Sequence, residues 1–263
     1  MEHELLIIIP AYNEEKNLPK VLDDMKEMGV FKYADVLVMN DASSDNTNWV
    51  AKAYPVNVVT HVFNLGYGLA IQMGYKYAVR RGYSYVIQMD ADGQHDVKNI
   101  KNIFDELKRK DEDGKTADIV IGSRFVSGAT KYKIGLIKKF AINMFSFIIK
   151  SVTGVKIMDT TSGLQGLSFK AFLYYSIYTN FDDKYPDANM IMQMLLLGFN
   201  IREIPAEMHQ RQIGKSMHSG LKPIIYMIRV TMSIFAVLFR YNLLKKDKGI
   251  LKDGIINKKE LEN

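Results

Sequence analysis

Through the first half of the chain, short apolar runs alternate with longer stretches in which apolar residues recur every three or four positions. The short runs predict strands at 5–9, 36–39, 56–60, 85–89 and 119–121. The longer stretches predict helices at 18–28, 48–54, 69–81 and 97–110. Such alternation builds an α/β fold, a mostly parallel sheet flanked by helices. After Gly122 the regularity fades into loops, helices and short strands at 164–168 and 201–204, consistent with a subdomain on the same sheet. In open sheets of this kind, ligands gather beyond the carboxyl ends of the strands.

Four predicted strands end in polar clusters at that edge. The fourth run is followed by DADGQH, residues 90–95. Alternate residues of an extended chain face one side, so Asp90 and Asp92 reach a common cation if the strand ends there. Gly93 permits a sharp turn behind them, and Gln94 and His95 add further polar groups. Oxygen ligands without sulfur favour Mg2+ or Mn2+ shared with a substrate's phosphates. The other clusters are PAYNEE, NDASSDNT and HVFNLGYGLA. Taken singly, each also reads as turn or capping chemistry: Asn13 and the following acids suit a helix start. Gly66 and Gly68 open a helix whose amides face an anion. Turn chemistry alone does not explain four such ends in succession.

The chain has 263 residues, 48% of them hydrophobic, enough for one α/β domain with appendages. It has no cysteine, which excludes disulfides and thiolate metal sites and fits a reducing cytoplasmic setting. The first residues carry acids where a secretory signal needs bases, so no export is expected. The net charge of +6 is uneven. Residues 131–150 hold five lysines and no acid, and 209–248 hold eight Lys or Arg against Asp247 alone, leaving the remainder net negative. An acidic body with two basic apolar segments is drawn to an anionic surface.

Those segments set the expected domains: a catalytic unit over 1–220, an amphipathic helix over 221–244 and a charged tail over 245–263. Residues 134–150 align Lys139, Asn143, Ser146 and Lys150 on one helical stripe amid apolar residues. Such a helix is either core or a basic helix lying on anionic lipid. Residues 223–246 approach spanning length, but Arg229 leaves only the ten-residue, largely apolar run 230–239, against about 20 for a crossing. A helix half-sunk in the cytoplasmic leaflet, with Arg240, Lys245 and Lys246 at headgroup level, is expected instead. The same surfaces suit contacts in a homo-oligomer.

PAYNEE, NDASSDNT, HVFNLGYGLA, DADGQH and GSRF, in this order and at these separations, resemble glycosyltransferase family 2, over about residues 5–215. The best match is its branch of dolichyl-phosphate mannose synthases and polyprenyl-phosphate sugar transferases. The resemblance implies a GT-A, Rossmann-like fold, a nucleoside-diphosphate-sugar donor, Mg2+ or Mn2+, inversion at the anomeric carbon, and helices that reach a polyprenyl phosphate or lipid-linked saccharide. Carried onto this sequence, Pro10, Tyr12 and Glu14 shape the nucleoside pocket and Asp41 bonds the base. Asp90 and Asp92, with Gln94, hold the metal on the diphosphate. Asp159, with Ser162 and Gly163, walls the sugar. Ala42 stands where many relatives have Gly, a departure expected to cost the turn little.

Two acceptor chemistries remain open. A hydroxyl acceptor, on a capsule or cell-wall polysaccharide, needs a general base, for which Asp187 at a predicted helix start is the candidate. A phosphate acceptor is already anionic and needs cations, for which Arg124, Arg211 and Lys215 are candidates. A noncatalytic nucleotide-binding membrane scaffold is the reading from another class. His61, His95, His209 and His218 lack two-His metal spacing, and neither G-x-S-x-G nor GxxxxGK[ST] occurs. The basic stretches lack aromatics interleaved on a polar groove, which argues against nucleic acid as a partner.

Overall fold

Every residue of the first strand, β1 (Leu5–Ala11), is buried, as expected for a central strand covered on both faces. The computed structural model describes residues 3–130, 134–184, 186–210 and 222–242. After β1 come α1 (Leu18–Glu27), β2 (Asp35–Asn40), α2 (Thr47–Lys52), β3 (Asn57–Thr60), α3 (Tyr67–Arg81), β4 (Tyr85–Gln88) and α4 (Lys98–Lys108). The second half holds β5 (Ile119–Ser123), α5 (Leu136–Thr153), β6 (Gln165–Ser168), α6 (Phe169–Ser176), α7 (Ala188–Leu196), β7 (Ile201–Pro205) and α8 (Lys222–Asn242). The elements expected before Gly122 all form, each within two residues of its expected bounds.

The strands make one sheet in the order β3-β2-β1-β4-β6-β5-β7. Strand β6 runs antiparallel to β4 and β5, and the other pairs are parallel. The chain steps outward from β1 to β3 and then returns to β4 on the other side of β1. The crevice beyond the carboxyl ends of β1 and β4 is therefore the topological switch point, where α/β sheets bind ligands. Pro10 is tolerated in β1 because its β4-facing edge is already unpaired: that ladder stops at Ile8 and Gln88.

Alternation in the central strands feeds two cores. Leu5, Ile7 and Ile9 join Val36 and Val38 under α1, α2 and α4, whereas Leu6 and Ile8 join Leu37 and Met39 under α3 and α5 to α8. Helix α1 shows the local rule: Leu18, Val21, Leu22 and Met25 recur at spacings of three and four and are all buried.

The two basic segments belong to the same body. Helix α5 buries Ala141, Ile142, Phe145 and Ile149, and α8 places Val230 and Ile234 in the core beside residues of α7. Within the expected 221–244 segment, helix α8 is thus packed onto the rest of the fold along its inner face. Among the described residues, no helix is long and apolar enough to cross a membrane. The 245–263 tail lies outside the described residues.

Ala42 adopts φ +56° in the loop after β2. The expectation that it costs the turn little is corrected: the left-handed region puts a Cβ against the backbone at about 1–2 kcal/mol. Ala42→Gly should stabilise the protein by about 1 kcal/mol, after allowing for the freer unfolded chain, and raise Tm by roughly 2–4 °C. Thermal unfolding checks this; an unchanged or lower Tm contradicts the strain.

Candidate active site

The loops after β1 and β2 interlock. Asn13, also at φ +56°, receives the Ser44 amide on its side-chain oxygen at 2.8 Å and donates its own amide to Ser43 Oγ at 3.0 Å. Glu15 Oε2 accepts the Asn46 amide at 3.0 Å, and the Glu14 amide reaches Thr47 Oγ1 at 2.9 Å. Neither Asn17 nor Asn46 makes a side-chain cap hydrogen bond to its helix. The polar residues of PAYNEE and NDASSDNT therefore mainly join two loops, while Asp45 Oδ1 accepts the Thr47 amide at the start of α2 at 3.0 Å. Pro10 is buried near the end of β1, Tyr12 is half-exposed, and Glu14 accepts from Asn17 Nδ2 at 2.6 Å.

Asp41, expected to bond the base, is engaged within the chain. Its buried carboxylate accepts the Leu65 and Gly66 amides, each at 2.8 Å, and lies 2.7 Å from His61 Nδ1. The anion at the start of α3 is thus Asp41 itself, and the Gly66 amide, expected to face a ligand, is already bonded to it. Asp41 holds the 61–66 loop in place.

After β4 the chain leaves extended geometry, so a turn and not strand alternation sets the directions of Asp90 and Asp92. Ala91 and Asp92 form the turn, Gly93 follows at φ +73°, and Asp92 Oδ1 accepts the Gln94 amide at 3.1 Å. Gln94 also gives its carbonyl to the His209 amide at 2.7 Å. Asp90 Oδ1 accepts from the Tyr67 hydroxyl at 3.2 Å, and His95 Nε2 lies 3.0 Å from Oδ2. Burial pushes the Asp90 carboxyl up, but the bond and charge of His95, the Tyr67 hydroxyl and Lys138 outweigh it and hold it below its usual range. Gly163 comes so close that a Cβ there would stand 2.9 Å from Asp90 Oδ2.

Among the described residues, no three His, Cys, Asp or Glu are grouped to hold a metal by themselves. Two carboxylates that leave coordination positions open fit a hard cation completed by diphosphate oxygens and water. His95 and Tyr67 are outer partners of the kind that orient a ligating carboxylate.

The opposite wall is built on Arg124. Its Nε and Nη2 grip the Asp159 carboxylate at 2.7 and 2.6 Å, and its amide adds a third bond at 2.9 Å. Asp159 is fully buried and the Arg124 side chain nearly so. A buried pair of this kind holds only with such complete geometry. Glu203 supports it from β7 by accepting the Met158 and Asp159 amides at 2.7 and 2.8 Å. Asp159, expected as a wall beside the sugar, is a buried anchor for Arg124.

Two further groups face this wall. Lys138, on α5, opens to solvent at the mouth of the cleft with Arg124, Asp187, Asp159 and Asp90 around it; desolvation and Arg124 lower its pKa, while the three carboxylates oppose that shift. Asp187 is pushed up to about 6 by burial, against the Tyr226 hydroxyl, Lys138 and Arg124. The fold thus brings Asp90, Asp159, Asp187 and Arg124 together around Lys138. Arg211 and Lys215 lie outside the described residues. Lys138 and Tyr67 escaped sequence reasoning: one was counted only in a lysine-rich stretch, and the other sits in the HVFNLGYGLA motif, overlooked between two glycines.

A mostly parallel sheet with an acid pair beyond its switch-point strand defines the class, a glycosyltransferase of the GT-A type. The model of glycosyl transferase family 2 matches residues 6–175, and the chain belongs to that family. An undecaprenyl-phosphate mannosyltransferase of Micrococcus luteus is 29% identical over 82% of this chain and 88% of its own length. A dolichyl-phosphate beta-glucosyltransferase of Trichomonas vaginalis is 32% identical over 82% of this chain and 69% of its own. The solved glucosyl-3-phosphoglycerate synthase from Mycobacterium tuberculosis, in complex with Mn2+, uridine diphosphate and phosphoglyceric acid, shares the fold. Its TM-score is 0.62, at 17% identity, over 89% of this chain and 77% of that one.

The raised Asp187 carboxyl makes a signed prediction. The folded protein keeps this proton to about pH 6, whereas the ordinary value is 3.8. The folded state therefore binds more protons, and its stability falls as pH rises between those values. Asp187→Asn removes that loss, so the variant should gain on the wild type from pH 4 to 7, by on the order of 2 kcal/mol. Thermal midpoints across this range check it; a pH-independent difference contradicts it.

Proposed function

We propose that this glycosyltransferase moves a sugar, with inversion and with Mg2+ or Mn2+, from a nucleoside diphosphate to a polyprenyl phosphate or lipid-linked saccharide at a membrane surface. The observation that carries the reading is the approach of Asp90, after β4, to Lys138, which also lies near Arg124, beside two helices with exposed apolar faces. Helix α5 exposes Leu136, Ile137, Phe140 and Phe147 next to Lys139 and Lys150. Helix α8 exposes Ile228, Met232, Phe235 and Phe239 at spacings of four, three and four, with Arg229 beside them. The helices pack against each other. Basic helices with outward apolar stripes suit the headgroup boundary of anionic lipid, which supports a peripheral location on the cytoplasmic face.

Asp90 and Asp92 would hold the cation, which when bound neutralises charge building on the departing diphosphate. Lys138 and Arg124 lower the repulsion between an anionic acceptor and an anionic donor. Asp159 keeps Arg124 aimed without a further reorganisation. An anionic acceptor arrives as a nucleophile and needs no base. Asp187, with its carboxyl near pH 6, favours a second reading, transfer to a hydroxyl with Asp187 taking the proton. Asp187→Asn separates the two, abolishing hydroxyl transfer and only weakening phosphate transfer.

Vesicles of anionic lipid with polyprenyl phosphate, incubated with a panel of labelled nucleotide sugars and Mn2+, should yield organic-soluble label from at least one donor. Asp90→Asn should cut that yield by about 1,000-fold, the scale of losing electrostatic stabilisation at a reacting centre, with Tm little changed. No organic-soluble label from any donor contradicts the reading. In the same vesicles, Phe235→Glu with Phe239→Glu should lose sedimentation with lipid; unaltered binding contradicts the lipid-facing role of α8.

A further inference from the structure

Helix α8 turns its other face to the segment that carries Asp187. The Tyr226 hydroxyl donates to Asp187 Oδ2 at 2.6 Å. Two turns on, Ser233 Oγ donates to Asp182 Oδ2 at 3.0 Å and accepts from Asn189 Nδ2 at 2.7 Å. At the far end, Arg240 reaches the Thr179 carbonyl at 3.1 Å and Asn180 Oδ1 at 3.2 Å. Asn189 closes the circuit, accepting the Asp187 amide at 3.0 Å and donating to Asp182 Oδ2 at 2.7 Å. One face of α8 is thus bonded, at Tyr226, Ser233 and Arg240, to Thr179, Asn180, Asp182, Asp187 and Asn189, and the opposite face is the exposed apolar stripe.

Asp187 occupies the N-cap position of α7, where an aspartate ordinarily accepts from the first helix amides. It makes no such bond. Its carboxylate instead accepts from Tyr226, in the cleft with Lys138, Arg124 and Asp90. A cap given up, worth about 1 kcal/mol, marks the direction of this side chain as set by something other than helix stability.

We propose that Tyr226 is a positioning residue whose hydroxyl holds the Asp187 carboxylate in the cleft, so that the seating of α8 on lipid sets the acceptor side of the site. This rests on the transferase reading and on α8 as the lipid-facing helix. Tyr226→Phe keeps the ring and removes only the donor. With the full chain on anionic vesicles holding polyprenyl phosphate, the variant should lose about tenfold in kcat, with donor KM within about twofold and vesicle binding unchanged. In an Asp187→Asn background the same change should have no further effect, a coupling that a general packing role does not produce. Unchanged kcat in Tyr226→Phe, or equal losses in both backgrounds, overturns the inference. A wild type that makes no lipid product contradicts the transferase reading itself; an active wild type with an equally active Tyr226→Phe contradicts only this coupling.

Discussion

Three carboxylates, Asp90, Asp159 and Asp187, lie within electrostatic reach of two cations, Arg124 and Lys138, and their mutual compensation is the constraint on which the site rests. Charges withdrawn from water cost several kcal/mol each unless paired. Asp159, with no exposure, is affordable only because Arg124 meets it with a planar fork and a backbone amide. Glu203 extends the network to β7, so the antiparallel insertion of β6 and the last strand both serve to hold this wall. Asp90 faces it across the cleft, supported by Tyr67 and His95. In the proposed transfer an anionic donor meets an anionic acceptor, and a charge balance built beforehand would lower their repulsion.

Much of the scaffold was legible in the sequence because it depends on local periodicity. The apolar run of β1, the three-and-four spacing of α1 and the turn after β4 each follow from neighbours in the chain. The strand-end clusters marked the right edge of the sheet for the same reason. What escaped was long-range pairing. Nothing near Asp41 in sequence says that its carboxylate is bonded by amides 24 and 25 residues on. Nothing near Asp159 names Arg124, 35 residues away. Lys138 was hidden among lysines whose shared feature is charge, whereas its distinguishing feature is the three carboxylates around it.

The basic segments illustrate the same limit differently. For residues 134–150, a core helix and a lipid-facing helix were alternatives, and the structure buries one apolar stripe and exposes another: Phe145 and Ile149 are buried while Phe140 and Phe147 are exposed. Ser146, placed by spacing on the polar stripe, turns inward to the Ile157 carbonyl. Helix α8 repeats the arrangement, with Val230 and Ile234 inside and Phe235 and Phe239 outside. Helical spacing gives the angular positions of side chains but not which of two apolar stripes faces the protein.

The account's central claim is that the cleft has a donor side, held by the acids after β4, and an acceptor side, held by cations. Steady-state kinetics of Lys138→Met with varied donor and varied polyprenyl phosphate test it directly. The account predicts that the acceptor KM rises by about tenfold or more while the donor KM stays within about twofold. A raised donor KM with an unaltered acceptor KM would contradict it.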